Sequence, residues 1–267
     1  MQVVPISAHR TPSSDEALME RVSIRSLDQI RDAATALYEA ALTRGLRIAA
    51  CADIASKDQM VDAQGAIINA DIFGWLGPDE RWWEDTRLAL SSPLPRACRY
   101  ESEPFWCNED GFYTNWRNRY LEEMDLSDFE KRSLCRAAIL VPVHLPFGQI
   151  AAISFCPLDR DRTDLSEDFA EHGDFLAALA RRFVAGYVSV RRTQQWMPSD
   201  CRLSKREVEC LRWAAIGKTD KEISLILSLS HATVRYHVQR AADKVNAVNR
   251  SQTIFKAGQL GYLGAAS

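Results

Sequence analysis

The sequence predicts an α+β protein in two parts: a mixed sandwich domain, then a small all-α unit of four helices containing a helix-turn-helix. Three observations carry this. A period-two hairpin pattern spans residues 139–155, between helical stretches. From Cys201 onward, short helices with explicit caps replace strands. The charge divides at the same place. Residues 201–267 hold 11 basic and 5 acidic side chains, a net of +6. The first 200 hold 22 and 31, a net of −9, and the chain total of −3 averages the two. A basic end on an acidic body points to nucleic acid or another anionic surface.

The bulk features exclude several classes. A length of 267 residues suits one or two domains, and 46% hydrophobic with 26% charged residues is ordinary globular composition. No window approaches 18 consecutive apolar residues, so no membrane partner is expected. The first 22 residues are polar and carry Pro5 and Pro12. They are expected to be disordered, and they lack the charged-then-apolar layout of a secretory signal. The seven cysteines are scattered without a C-x-x-C pair. They read as reduced thiols in a cytoplasmic protein, with no metal site and no cofactor expected. No nucleophile elbow or phosphate loop is present, so no catalytic residue is expected.

Along the chain, Ser26 to Gln29 reads as a capping box ahead of a helix whose apolar positions are Leu27, Ile30, Ala34, Leu37 and Ala41. Gly45 is its stop. Leu46–Ile54 and Ala66–Phe73 read as strands, and Pro78–Leu90 as a helix broken by the prolines of Ser91–Pro95. Tyr113–Glu123 and Ser127–Leu134 read as helices, the second opened by Ser127 and Glu130. Residues 139–144 and 149–155 alternate across the turn Pro146-Phe147-Gly148 and form the hairpin; Pro142 points to an edge or a bulge. Leu165–Arg191 is a long helix with Phe169, Phe175, Leu176, Leu179, Phe183 and Val184 on one side. Residues 1–22 are thus the N-terminal segment, 23–193 the first domain, 194–202 a linker containing Pro198, and 203–267 the last domain.

In that last domain, Ser204 with Glu207 and Thr219 with Glu222 are capping boxes, and Ser230 caps a third helix. Asn249 or Ser251 starts a fourth. The third helix separates into two faces. Val234, Val238, Ala241 and Val245 face inward. Ala232, Arg235, Tyr236, Gln239 and Arg240 face outward, as reading base edges requires. Arg235 suits a bidentate contact to guanine, and Gln239 one turn on suits adenine. Lys218, Lys221 and the hydroxyls of Thr219 and Thr233 sit where phosphates would be held.

Residues 203–263 resemble the DNA-binding domain of the LuxR family. The matching residues are Leu203-Ser204, Arg206-Glu207, Leu211, Ala215, Gly217-Lys218-Thr219, Glu222-Ile223, Leu227, Ser230, Thr233-Val234, His237, Lys244 and Asn249-Arg250. The resemblance implies a transcriptional regulator that binds a double-stranded DNA operator as a homodimer. RNA polymerase would be a further partner of an activator. Positions matching Arg235, Tyr236 and Gln239 would face bases. Those matching Lys218, Thr219, Thr233 and His237 would serve the DNA backbone or local packing.

The first domain's size and order resemble the autoinducer-binding domain of quorum-sensing regulators. That implies an α/β/α sandwich, a PAS- or GAF-like sensor, holding a small-molecule effector such as an acyl-homoserine lactone. Trp82 or Trp83 matches a pocket tryptophan, Pro104-Phe105-Trp106 a later aromatic segment, and Ser154 a ligand-facing hydroxyl. Two positions depart. Arg87 (or Thr86) stands for a tyrosine, and Ser92 stands for the aspartate of an Asp-Pro pair. Serine is a weaker acceptor for a ligand amide than a carboxylate, and Arg87 would place a cation near an acyl site. The candidate pocket residues are therefore Trp83, Arg87, Ser92, Trp106 and Ser154. Their ligand is a lactone or another small molecule, for instance an anion. The alternative is a ligand-independent regulator whose first domain is a dimerisation or protein-interaction module.

Overall fold

The computed structural model describes residues 14–56, 58–77, 81–82, 91–192 and 201–264. They divide into two compact units, one of residues up to 144 with 149–191, the other of residues 145–148 with those from 192 onward. Expectations for residues 1–13, for most of the helix at 78–90 and for the linker at 194–200 fall outside the described residues.

The first unit opens on a difference. Residues 14–22 were expected to be disordered, but Ser14–Arg21 is a helix (α1). Val22 behind it is fully buried, and that burial gives the segment something to fold against. The box at Ser26 does not form. Ser26 makes no side-chain cap, and Gln29 accepts a bond from the Arg25 amide at 2.8 Å instead. Residues 27–29 make a 3-10 turn that leaves Leu27 exposed. Then α2 (Ile30–Leu42) buries Ile30, Ala34, Leu37 and Ala41 as its spacing predicts. Gly45, at φ +69°, turns the chain out of it.

Strand β1 (Leu46–Cys51) lies at the sheet edge. The apolar run expected as a strand at 66–73 instead forms a short helix, α3 (Ile68–Asp71). Its task is to cover that edge. Asn69 donates to the Ala50 carbonyl at 2.8 Å and accepts from the Ala50 amide at 2.9 Å. The Trp75 indole donates to the Ile48 carbonyl. Side chains thus satisfy backbone groups that a further strand would have paired.

The prolines at 93 and 95 lie in a helix of their own. In α4 (Pro93–Ala97) Pro93 stands in the first turn, where no amide is needed. Tyr113–Glu123 is not one helix either. It supplies the end of a strand and a single turn: β2 (Phe105–Asn108), β3 (Gly111–Tyr113), then α5 (Arg119–Glu122). Ser127 caps nothing, because Asp128 adopts a left-handed conformation at φ 52° and α6 runs only over Phe129–Ser133.

The hairpin forms as expected, as β4 (Ala137–His144) and β5 (Ile150–Pro157). The antiparallel sheet has the order β1-β5-β4-β2-β3. β4 is therefore interior. Its ladder with β2 ends at Leu140–Phe105, however, so at Pro142 only β5 is beside it. The lost amide is tolerated there as on an edge. α7 (Ser166–Arg191) packs with α2 against the sheet. One sheet face carries Ile48, Ile139, Val141, Ile153 and Phe155, all fully buried. The other carries Phe105, Cys107, Ala138, Leu140 and Cys156, packed against Leu94, Leu121 and Phe129. Helices on both faces make this an α/β/α sandwich.

The second unit contains α8 (Lys205–Ala215), α9 (Asp220–Leu227), α10 (His231–Lys244) and α11 (Arg250–Gln259). Both expected capping boxes form, and Ser230 and Asn249 cap α10 and α11. Gly217, at φ +96°, makes the turn after α8. Leu211, Ala241, Val245 and Ala257 form one buried cluster, and Cys210, Ala214, Ile223 and Val234 another.

Candidate nucleic-acid interface and ligand cavity

The spacing of α10 places its side chains on two faces. Val234, Ala241 and Val245 are buried and Val238 is half-buried, while Ala232, Arg235, Tyr236, Gln239 and Arg240 are exposed. Only Ser228, Leu229 and Ser230 separate α9 from α10, the short connection a helix-turn-helix needs. Arg235, Arg240 and Lys221 form no ion pair with any described residue. The Gln239 amide donates to Asp243 at 3.0 Å, so it must leave that carboxylate to reach a base. Tyr236 is 60% exposed and meets His237 edge-on at 5.6 Å.

The cap hydroxyls are engaged within the unit. Thr219 accepts from the Glu222 amide at 3.3 Å and donates to the Glu222 carboxylate at 2.8 Å. Thr233 shares a bond with Ser230 at 2.8 Å. Lys218 pairs with Glu222 at 3.3 Å. The Thr219 amide and hydroxyl, with Lys218, hold the Glu222 carboxyl down at about 2. These groups set the helix start, and Lys221 beside them makes no ion pair with any described residue.

Inner ties hold α10 in place. Glu207, buried, accepts from the Ser204 amide and from Lys244, each at 2.7 Å. Lys256 donates to the carbonyls of Val245 and Asn246 just past the end of α10, at 3.2 and 2.7 Å. Arg250 pairs with Asp220 and donates to the Lys218 carbonyl at 2.7 Å. On the surface of α8 itself, Arg206 pairs with Glu209 one turn on, at 2.8 Å.

Burial works against the Glu207 charge, but the Lys244 and Ser204 bonds prevail and hold its carboxyl below the usual value. Its stabilisation is therefore complete above the unfolded-chain value of about 4.3 and is lost as pH falls through the lower folded value. Glu207→Gln is expected to cost about 1–3 kcal/mol at neutral pH. Denaturant unfolding of parent and variant checks this. The gap between them should narrow as pH falls below the unfolded-chain value of about 4.3, and a gap independent of pH would contradict the assignment.

In the first unit, a cavity of about 130 Å³ opens on the sheet face that carries Leu140 and Cys156. Its floor is Ala49, Cys51, Leu140, Ala152, Ser154 and Cys156; Trp75, Trp82, Ser92, Leu94 and residues 132–134 lie over it. Ser154 donates weakly to the Ala49 carbonyl at 3.4 Å. The Ser133 Oγ is buried without a hydrogen-bond partner among the described residues. Arg132 is committed to the wall. It donates to the Ser91 carbonyl at 2.7 Å, the Ser127 carbonyl at 2.8 Å and Asp125 at 2.8 Å. Asp53 and Asp58 also line the cavity.

Of the expected pocket residues, Ser92 and Ser154 come together here. Trp106 does not. It pairs with Ile139 on the opposite face and stacks on Tyr113 at 3.9 Å. Alternation along β2 turns Phe105 and Cys107 toward the cavity side, so the intervening residue faces away. Trp83 and Arg87 lie outside the described residues, while Trp82 is on the wall. Trp75, Cys51 and Cys156 are lining residues that the sequence reading missed.

Fold and site define a two-part protein: a cavity-bearing α/β/α unit and a helix-turn-helix unit with an exposed basic face. Residues 202–257 match the model for bacterial regulatory proteins of the luxR family, and residues 81–185 match the autoinducer binding domain. The quorum sensing-dependent transcriptional regulator VjbR of Brucella ovis is 34% identical over 199 residues, 67% of this chain and 74% of VjbR. The transcriptional activator AhyR of Aeromonas hydrophila is 30% identical over 66% of each chain. VanR of Vibrio anguillarum is 32% identical over 48% of this chain. The matched region spans about half of VanR (52%) and 66% of AhyR. The crystal structure of Escherichia coli SdiA aligns over 93% of this chain and 97% of its own, at 19% identity and a TM-score of 0.48. The chain belongs to the LuxR family of bacterial transcriptional regulators, in the branch that carries an autoinducer-binding domain.

Proposed function

We propose that the protein binds a double-stranded DNA operator as a homodimer in the cytoplasm and that a small molecule in the sandwich cavity governs that binding. The observation that carries the DNA half is the outward face of α10, where Arg235, Tyr236, Gln239 and Arg240 are exposed above a buried apolar stripe. Half-sites about one helical turn apart would suit a two-fold dimer. Lys221 and Arg240 are assigned to phosphates, and Arg235 and Gln239 to bases. An activator would also meet RNA polymerase.

The orphan Ser133 hydroxyl and the hydroxyls of Ser92 and Ser154 line an otherwise largely apolar chamber. With Arg132 committed to the wall and Asp53 and Asp58 present, an uncharged amphipathic ligand fits the described wall better than an anion. An acyl-homoserine lactone has this character. The autoinducer-binding match favours sensing over a ligand-independent interaction module. Ligand binding would shift the population of the DNA-competent dimer.

The test is thermal unfolding of the full chain against a lactone series. A concentration-dependent rise in Tm is expected, about 2.7 kcal/mol of stabilisation at 100 times Kd. No rise with any neutral amphipathic ligand, together with a rise for a small organic anion, would overturn the ligand class.

A further inference from the structure

The sandwich cavity is lined by two serines whose hydroxyls the fold itself does not use. Ser92 opens α4, but its side chain makes no cap bond there. Ser133 closes α6, and its Oγ is buried with no hydrogen-bond partner among the described residues. Both belong to one wall. α4 packs against α6. Arg132, the residue before Ser133, donates to the carbonyl of Ser91, the residue before Ser92, through two guanidinium nitrogens at 2.9 and 2.7 Å. The start of one short helix is thus tied to the end of the other.

A buried hydroxyl left unpaired carries a desolvation penalty that a ligand can remove. Chemistry decides which ligand group removes it. A serine hydroxyl has one proton to give and two lone pairs to receive with. The rest of the lining narrows the choice. The Arg132 guanidinium is already spent on carbonyls and on Asp125, so it does not call for an anion. Asp53 already accepts from the Ala55 amide at 2.8 Å, and Asp58 is exposed. Leu94, Leu140, Ala152 and Cys156 supply apolar surface. The unmet need on this wall is an acceptor for a hydroxyl proton, and a neutral carbonyl, ester or alcohol oxygen supplies one.

We propose that Ser92 and Ser133 form a two-hydroxyl subsite that anchors the ligand headgroup through a neutral oxygen, so that an ester is taken as readily as an amide. This rests on the reading of the cavity as the ligand site and narrows the ligand it takes. Ser133 donates to the carbonyl oxygen of the headgroup. Ser92 meets the linking atom beside it. A hydroxyl there accepts from an amide N–H or donates to an ester oxygen with equal ease. A carboxylate in the same place would only accept. It would favour the N–H and repel the ester oxygen. The pair therefore makes the ligand's N–H dispensable and its oxygen essential.

The experiment titrates the full chain with two probes that differ at one atom: hexanoyl-homoserine lactone, and the lactone ester in which oxygen replaces the amide N–H. Calorimetry gives both dissociation constants, which are expected to agree within about threefold. Ser133→Ala should weaken both probes roughly tenfold, the worth of one hydrogen bond near the upper end of its range. Ser92→Asp should separate them, with the ester at least roughly tenfold behind the amide. Circular dichroism establishes that each variant is folded, and the parent comparison with Ser133→Ala decides the matter if Ser92→Asp does not fold. Parent protein that prefers the amide more than tenfold, or folded Ser133→Ala that binds both probes as the parent does, would overturn the subsite and leave the cavity reading standing. Binding of neither probe to the parent would overturn both.

Discussion

Arg235→Ala is expected to weaken specific operator binding by about 1–3 kcal/mol, roughly 5- to 150-fold, and to relax the preference at one base position. The reasoning begins with exposure. Arg235 lies on the outer face of α10 and makes no ion pair with any described residue. Its removal therefore breaks no internal bond, and the helix beneath it stays anchored by Val234 and Ala241. Unfolding midpoints of parent and variant should then coincide. The loss must come from the DNA contact. Competition gel shifts with operators substituted at each position separate the two expected signs: weaker binding to the parent site, and flattened discrimination at one pair. A variant that binds the parent operator as tightly as the parent protein would remove α10 from base reading.

Trp75→Ala is expected to reduce the stability of the sandwich unit by about 3–5 kcal/mol, a large part of the 5–15 kcal/mol typical of a domain. Three contacts disappear together. The buried ring leaves a void, Trp82 loses its edge-on partner at 5.2 Å, and Arg47 loses the ring beneath its guanidinium. The Ile48 carbonyl on the edge strand also loses its donor. Trp75→Phe restores most of the apolar volume but not the N–H, so it should cost about 1–2 kcal/mol. Urea unfolding followed by fluorescence gives both numbers. A loss below about 1 kcal/mol for the alanine variant would mean that the ring is not the keystone of the edge cover.

The pattern of these residues explains what the sequence disclosed. Caps are local. Ser204, Thr219, Ser230 and Asn249 each act within three residues, so the four-helix unit was legible before any tertiary contact was known. The hairpin of β4 and β5 was legible for the same reason. Residues 66–73 were not. Their apolar run resembles a strand, but Asn69 spends its amide on Ala50, and that need exists only because β1 is an edge. The direction of Trp106 was equally hidden, since it depends on pairing with Ile139 across 33 residues of chain. The base-reading face needed only the period of one helix; the cavity needed the register of a sheet.

The inner ties of the helix-turn-helix unit bear on its thermodynamics with nucleic acid. Of its 11 basic side chains, Arg206, Lys218, Lys244, Arg250 and Lys256 are held by carboxylates or carbonyls of the same unit. That leaves Arg202, Lys205, Arg212, Lys221, Arg235 and Arg240. Each phosphate neutralised on duplex DNA frees about 0.9 of a condensed counterion. The ions each subunit can liberate are thus capped near five, well below what its basic residue count suggests. Association would be correspondingly less sensitive to ionic strength, with more of the affinity left to shape and base contact.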